Sequence, residues 1–165
     1  MNSPQPIRPH FPPGYIDNAK SFLAWEHVEQ RLREAENYWV CTVRPDGRPH
    51  AIPKWGVWID GRLYFDGSPQ TRSARNLAAN PAVTVHLESG ADVVIVDGSV
   101  REVVGPPHSL AAQLAAGYER KYTAFDYAPA VDTWNSGGLF EVTLHTVIAW
   151  TQFTDNPTKF VLKGQ

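Results

Sequence analysis

One cysteine in 165 residues excludes a disulfide framework, and Cys41 lies inside an apolar β-type run where a small buried hydrophobe fits. That is the usage expected of a reducing cytoplasm. No apolar run approaches the ~20 residues of a membrane-spanning helix, and the N-terminus has neither a basic nor an apolar leader region, so neither insertion nor secretion is expected. A formal charge of -2 leaves no broad basic face for nucleic acid. The six histidines, at 10, 27, 50, 86, 108 and 145, show no metal-ligand spacing, so no metal is expected. Also missing are a G-x-S-x-G elbow, a Walker loop, a G-x-G-x-x-G turn and paired carboxylates at a useful spacing.

What remains is a core-forming composition. Apolar residues make up 42% of the chain and aromatics 12%, which argues against disorder and for one domain, residues 1–165, that binds a small molecule. Residues 1–14 hold five prolines and no periodicity. They read as an extended arm, loose or laid on a neighbouring subunit. Trp25, Val28, Leu32 and Ala35 fall on one face of a helix over Ser21 to Glu36.

The organising stretch runs from Tyr38 to Leu77. Tyr38 to Arg44, Arg48 to Trp58 and Arg62 to Asp66 are β-rich runs joined at Pro-Asp-Gly and Asp-Gly, strong hairpin signals because Gly47 and Gly61 can take positive φ. Apolar residues at both parities of the first run predict that both its faces are covered. Pro49 and Pro53 cannot donate to a ladder, so the second run is an edge, carries a bulge, or has a ligand beside Pro53 to Gly56. Thr71 is placed to cap a helix that carries Arg72, Ser73 and Arg75 in its first turns. With Ser68, these donors at a helix N-terminus suit an organic phosphate, and they equally suit a capped surface helix with solvated arginines.

Val83, Val85 and Leu87 alternate as a fourth strand. A fifth runs from Val93 to Val103 with a bend at Gly98. Leu110, Leu114, Tyr118 and Tyr122 mark a second amphipathic helix. A loop over 123–136, with an exposed Trp134, is expected to act as a lid. Leu139 to Trp150 is the last strand. The sum is a mainly β fold: six antiparallel strands closing as a Greek-key barrel, with two covering helices and a short one facing the anion.

The ordered set YWVCTVRPDGRPHAIPKWGVW, LYFDGSPQTRSARNLAANPAVTVHLE and VVIVDGSV resembles the pyridoxamine 5'-phosphate oxidase-like family of FMN-binding split β-barrels, over roughly Asn37 to Val104 and more weakly from Phe140 to Leu162. The resemblance implies a homodimer that binds FMN, or the deazaflavin F420, in a cleft between two barrels. It implies that Pro53, Lys54, Trp55 and Gly56 lie along the ring and Phe65 to Ser68 over the sugar chain. Arg72 and Ser73 would stand at the phosphate, Ser73 departing from a basic pair that Arg75 or Thr71 would compensate. Trp150 and Lys159 would reach the ring from the partner subunit. Ala51 stands where the oxidase itself has an arginine, which argues against pyridoxamine phosphate as substrate.

A flavin or deazaflavin supplies the hydride chemistry, so few catalytic side chains are needed. None is assigned here: His50 and Tyr64 carry donor groups, and strand packing explains them equally well. The reading is thus an FMN-dependent oxidoreductase acting on a small organic molecule. The alternatives are an F420-dependent reductase of the same fold and a non-catalytic flavin- or haem-binding protein.

Overall fold

The computed structural model describes residues 3–162. Its elements in chain order are β1 (Pro6–Ile7), α1 (Trp25–Glu34), β2 (Tyr38–Val43), β3 (Pro49–Lys54), β4 (Gly56–Ile59), β5 (Arg62–Asp66), α2 (Arg72–Ala79), β6 (Ala82–His86), β7 (Val93–Val103), α3 (His108–Tyr122), β8 (Leu139–Trp150) and β9 (Thr158–Val161). All pairings are antiparallel. The walk from β4 through β5, β8, β7, β6 and β2 to β3 begins and ends on strands that are neighbours in sequence, separated only by Trp55. No ladder joins β3 to β4 among the described residues, so the barrel is closed by the chain and by its core and stays split along that seam.

Strands from both ends of this walk share one core. Tyr38 and Val40 of β2 pack in the same cluster as Trp58 of β4 and Leu63 and Phe65 of β5, with Val85, Val96, Val142 and Val147 between them. Helix α1 contributes Trp25, Val28 and Leu32, the three-four spacing read from the sequence, and α2 contributes Ala74 and Leu77. A second apolar cluster lies under α3, where Leu114, Tyr118 and Tyr122 meet Val57, Tyr64, Leu139 and Trp134. Burial of side chains this size is what drives closure, at about 1.5–3 kcal/mol for each large apolar group.

β8 forks the sheet. Its first residues pair with β5 and its later ones with β9, while β7 runs along its other edge for the whole length. The register slips at Asp97/Gly98, and a Cβ on Gly98 would sit 2.3 Å from the Thr143 carbonyl oxygen, so glycine is required where the two strands come closest.

Four expectations need correction. Nine strands form among the described residues rather than six: the second run divides at Trp55, and β1 and β9, too short to show alternation, pair with each other. The N-terminal segment is not a free arm. Arg8 donates to Pro157 O at 2.6 Å and Ser21 O at 2.9 Å, and Pro6–Ile7 lies along Phe160 and Lys159 of its own chain. The outer face of β2 is not covered, for Trp39 and Cys41 are half-exposed and Val43 exposed while Tyr38, Val40 and Thr42 are buried. Finally, Trp134 is buried, because Tyr118 packs on its ring and its indole N–H finds a carboxylate. Loop 123–138 is thereby a packed wall.

Candidate functional site

Two features adjoin at the split seam. One is the N-terminus of α2. Thr71 Oγ1 accepts the Ala74 N–H at 3.3 Å, as expected of a cap, and the first turn holds no acidic residue. Arg72 and Arg75 are exposed there and make no ion pair among the described residues. Ser73 is buried, with its hydroxyl 3.3 Å from that of Thr71, so it supports the cap from inside. On the same inner face Asn76 donates to Thr42 Oγ1 at 2.9 Å, tying α2 to β2.

The other feature is a cavity of about 690 Å³ between the end of β3, the end of β5 and loop 123–138. Pro53, Lys54, Trp55, Asp66 and Ser68 line it, together with Tyr127 and Trp134, which the sequence did not single out as site residues. Ser68 and Pro69 continue directly into the cap of α2, so the cavity mouth and the helix N-terminus are contiguous.

The aromatic wall comes from packing. The Trp55 ring stacks on Tyr122 at 4.8 Å and 16° and touches Phe125 and Tyr127. Behind it, Gly56 N donates to Tyr122 Oη at 2.9 Å, and the Lys121 ammonium donates to Gly56 O, Ala35 O and Tyr38 Oη. Burial pushes Lys121 down to about 8 and raises Tyr122 to about 12. The β3–β4 turn that presents Trp55 is therefore fixed from α3 and from the end of α1.

On the floor, Asp66 accepts from the Tyr127 hydroxyl and, at 3.3 Å, from Trp134 Nε1. Burial raises its carboxyl, opposed by these two donors and by the charge of Lys54. Lys54 is in turn lowered by burial and lifted by Asp66. Its Nζ lies over Gly67, where a Cβ would come within 2.9 Å of it, and it makes no hydrogen bond or ion pair among the described residues.

The other expected residues lie elsewhere. Gly56 is buried beneath Trp55. Phe65 points into the core and stacks on Phe140 at 5.2 Å, so its side chain does not reach the cavity. Trp150 and Lys159 line neither this cavity nor any other described here; the first packs on Phe153, the second faces Ile7 and Ile148 across the sheet. Tyr64 donates to Glu141, and His50 lies beside Thr42. A larger cavity, about 1130 Å³, sits under the N-terminal segment between α1 and α3, away from every expected site residue. Among the described residues no cluster of His, Cys, Asp or Glu could hold a metal ion, and no helix is long and apolar enough to cross a membrane.

A sequence profile described as pyridoxamine 5'-phosphate oxidase matches residues 24–151. The chain belongs to that family. The family match spans the seam, the α2 cap and the cavity, and leaves the N-terminal segment outside. No curated protein matches the sequence.

Solved structures share the fold at low identity. A structure titled F420 reductase is 24% identical, covering 74% of this chain and 96% of its own, with a TM-score of 0.54. General Stress Protein 26 from Bacillus anthracis is 18% identical over 83% of this chain and 97% of its own, TM-score 0.64. A heme binding protein from Mycobacterium smegmatis is 16% identical over 82% of this chain and 57% of its own, TM-score 0.62.

Proposed function

We propose that this chain is an FMN-dependent oxidoreductase that transfers a hydride to or from a small organic molecule, in the cytoplasm. The observation that carries this reading is the set of unpaired cations at the seam. Arg72 and Arg75 at the start of α2 and Lys54 at the end of β3 have no carboxylate partner among the described residues apart from the influence of Asp66 on Lys54. They flank an edge strand whose Pro49 and Pro53 cannot donate to another strand.

This donor set fits a phosphorylated planar group. Arg72, Arg75 and the free N–H groups of the α2 N-terminus would hold its phosphate, and β3 from Pro53 to Trp55 would lie along its ring. Such a group supplies hydride acceptance and donation, while the protein orients it and keeps water from its ring. The same three cations also suit the longer anionic tail of F420, which is the second reading.

A second copy of this chain completes the proposed cleft. The register sets Pro53, Trp39, His86, Ile95 and Ile148 side by side across five strands on the outer face, Pro53 exposed and the other four half-buried among the described residues. A partly apolar face of this breadth suits an isologous interface, which would bring the partner's sheet over the seam.

The deciding experiment is the absorbance spectrum of the purified protein, with any released cofactor identified by mass spectrometry. Bound FMN supports the reading. A protein that takes F420 and refuses FMN moves the activity to the deazaflavin, and one that binds neither overturns both.

A further inference from the structure

The floor of the seam cavity carries a polar pattern that a phosphate grip does not explain. Tyr127 gives its only hydroxyl proton to Asp66, so the lone pairs left on Oη can only accept. Asp66 is already engaged by Tyr127 and Trp134, which fixes that hydroxyl in direction. Lys54 lines the same cavity, and its Nζ is a donor with no hydrogen-bond partner among the described residues, held over Gly67. The ring of Trp55, backed by Tyr122 and touching Tyr127, lines the same cavity.

The wall thus offers one donor, one acceptor and a flat apolar surface. A planar ring that bears a carbonyl next to an N–H satisfies all three. Its oxygen would accept from Lys54, its N–H would donate to Tyr127, and its face would stack on Trp55. A buried acceptor left without its donor is costly, which makes the pattern selective.

We propose that this cavity binds the lactam-type edge of a planar ring, read by Lys54 and by Tyr127, with Asp66 as the positioning residue that orients the tyrosine. Two sources carry that edge. One is the pyrimidine half of a bound flavin, which rests on the reading above; the other is a substrate with a cyclic amide.

Methylation of the ring nitrogen separates the two. FMN and its N3-methyl derivative are titrated against the full-length protein by flavin fluorescence, and the bicyclic lactam carbostyril and its N-methyl derivative by calorimetry, with and without FMN. If the flavin edge occupies the cavity, the methyl group weakens FMN about tenfold, as loss of one buried hydrogen bond should. The same comparison in Tyr127→Phe then shows no difference. If a substrate occupies it, the two flavins bind alike, carbostyril binds better than its N-methyl derivative by a similar factor, and Tyr127→Phe removes that preference.

Absence of discrimination in both pairs overturns the proposal. Binding of FMN in that same experiment would leave the cofactor reading standing. Discrimination between the lactams without any FMN binding would support the cavity and remove the flavin. The wild-type comparison needs no variant to fold, and a purely structural role for Tyr127 would not produce a methyl effect.

Discussion

A methyl group at position 56 would meet the Tyr64 carbonyl oxygen at 2.6 Å and the Tyr38 ring at 3.3 Å, both too close to hold without movement. Gly56→Ala is therefore expected to cost about 1–3 kcal/mol, the range for overpacking a filled site. A thermal melt should fall by several degrees, and an unchanged melting temperature would mean the β3–β4 turn can shift freely. Lys121 acts on the same turn from the other side through three acceptors. Lys121→Met removes their donor and leaves the Ala35 carbonyl short of a partner, while Gly56 O keeps the Tyr122 hydroxyl, at about 1–3 kcal/mol. Because that turn presents Trp55, near-ultraviolet circular dichroism should change in the variant; a melt that falls with an unaltered aromatic spectrum would detach Lys121 from the cavity wall. Arg75→Glu places a negative charge by the α2 N-terminus, and we expect FMN affinity to fall at least tenfold while the melting temperature of the cofactor-free protein stays the same. Retained affinity would remove this helix from the phosphate site.

Helix α2 and strand β8 carry the element-scale arguments. The cap of α2 rests on Thr71, whose Oγ1 serves the Ala74 N–H, and Thr71→Ala should cost about 1 kcal/mol in urea denaturation. A midpoint that does not move would show that Ser68 and Gln70 hold the helix start by themselves. On β8, Glu141 is almost fully buried and takes Arg62 at 2.8 Å, both nitrogens of Arg101 and the Tyr64 hydroxyl, stitching β5, β7 and β8 together. Tyr64 is raised to about 12 by burial and by that carboxylate. Glu141→Gln would leave two guanidiniums facing a neutral amide. The expected loss is about 1–3 kcal/mol, less than for a wholly buried pair because the Arg101 side chain is 65% exposed.

For the whole molecule, alkaline stability follows from groups that folding has moved. Lys121 is held at about 8, below its unfolded value, so the unfolded chain binds the extra proton between that pH and the unfolded lysine pKa, and stability rises with pH in that window. Tyr38, Tyr64, Tyr118, Tyr122 and Tyr127 are all raised, chiefly by burial. Their contribution is intact below the unfolded tyrosine pKa and is lost as pH rises past it, each at about 1.4 kcal/mol per pH unit while only the unfolded form ionises. Urea midpoints should therefore climb modestly above pH 8 and fall steeply above about pH 10. A flat profile would mean that these side chains are wetter than their burial implies. The outer sheet face gives a second whole-molecule prediction: light scattering at micromolar concentration should report twice the chain mass, and Ile95→Arg should halve it. A wild-type monomer would count against the shared cleft.

Local chemistry made much of this chain legible in advance. Glycine at the hairpins, threonine before a helix, and the three-four spacing of Trp25, Val28 and Leu32 act over a few residues, so β5, α2 and β8 lie where the sequence puts them and Gly98 bends the strand it should. The order of those pieces was also enough to suggest the family that the profile match shows. Tertiary structure decided the rest, because it depends on residues far apart in the chain. Asp66 reads from the sequence as the last residue of a strand, and only the return of loop 123–138 gives it Tyr127 and Trp134 as donors. Trp134 looked exposed until α3 placed Tyr118 against it. β1 is a strand only because β9 lies beside it, 152 residues away in the pairing of Ile7 with Lys159, and β9 in turn rests on β8. Short-range stereochemistry is written in neighbouring residues, whereas a carboxylate's donors and an edge strand's partner exist only after the sheet has closed.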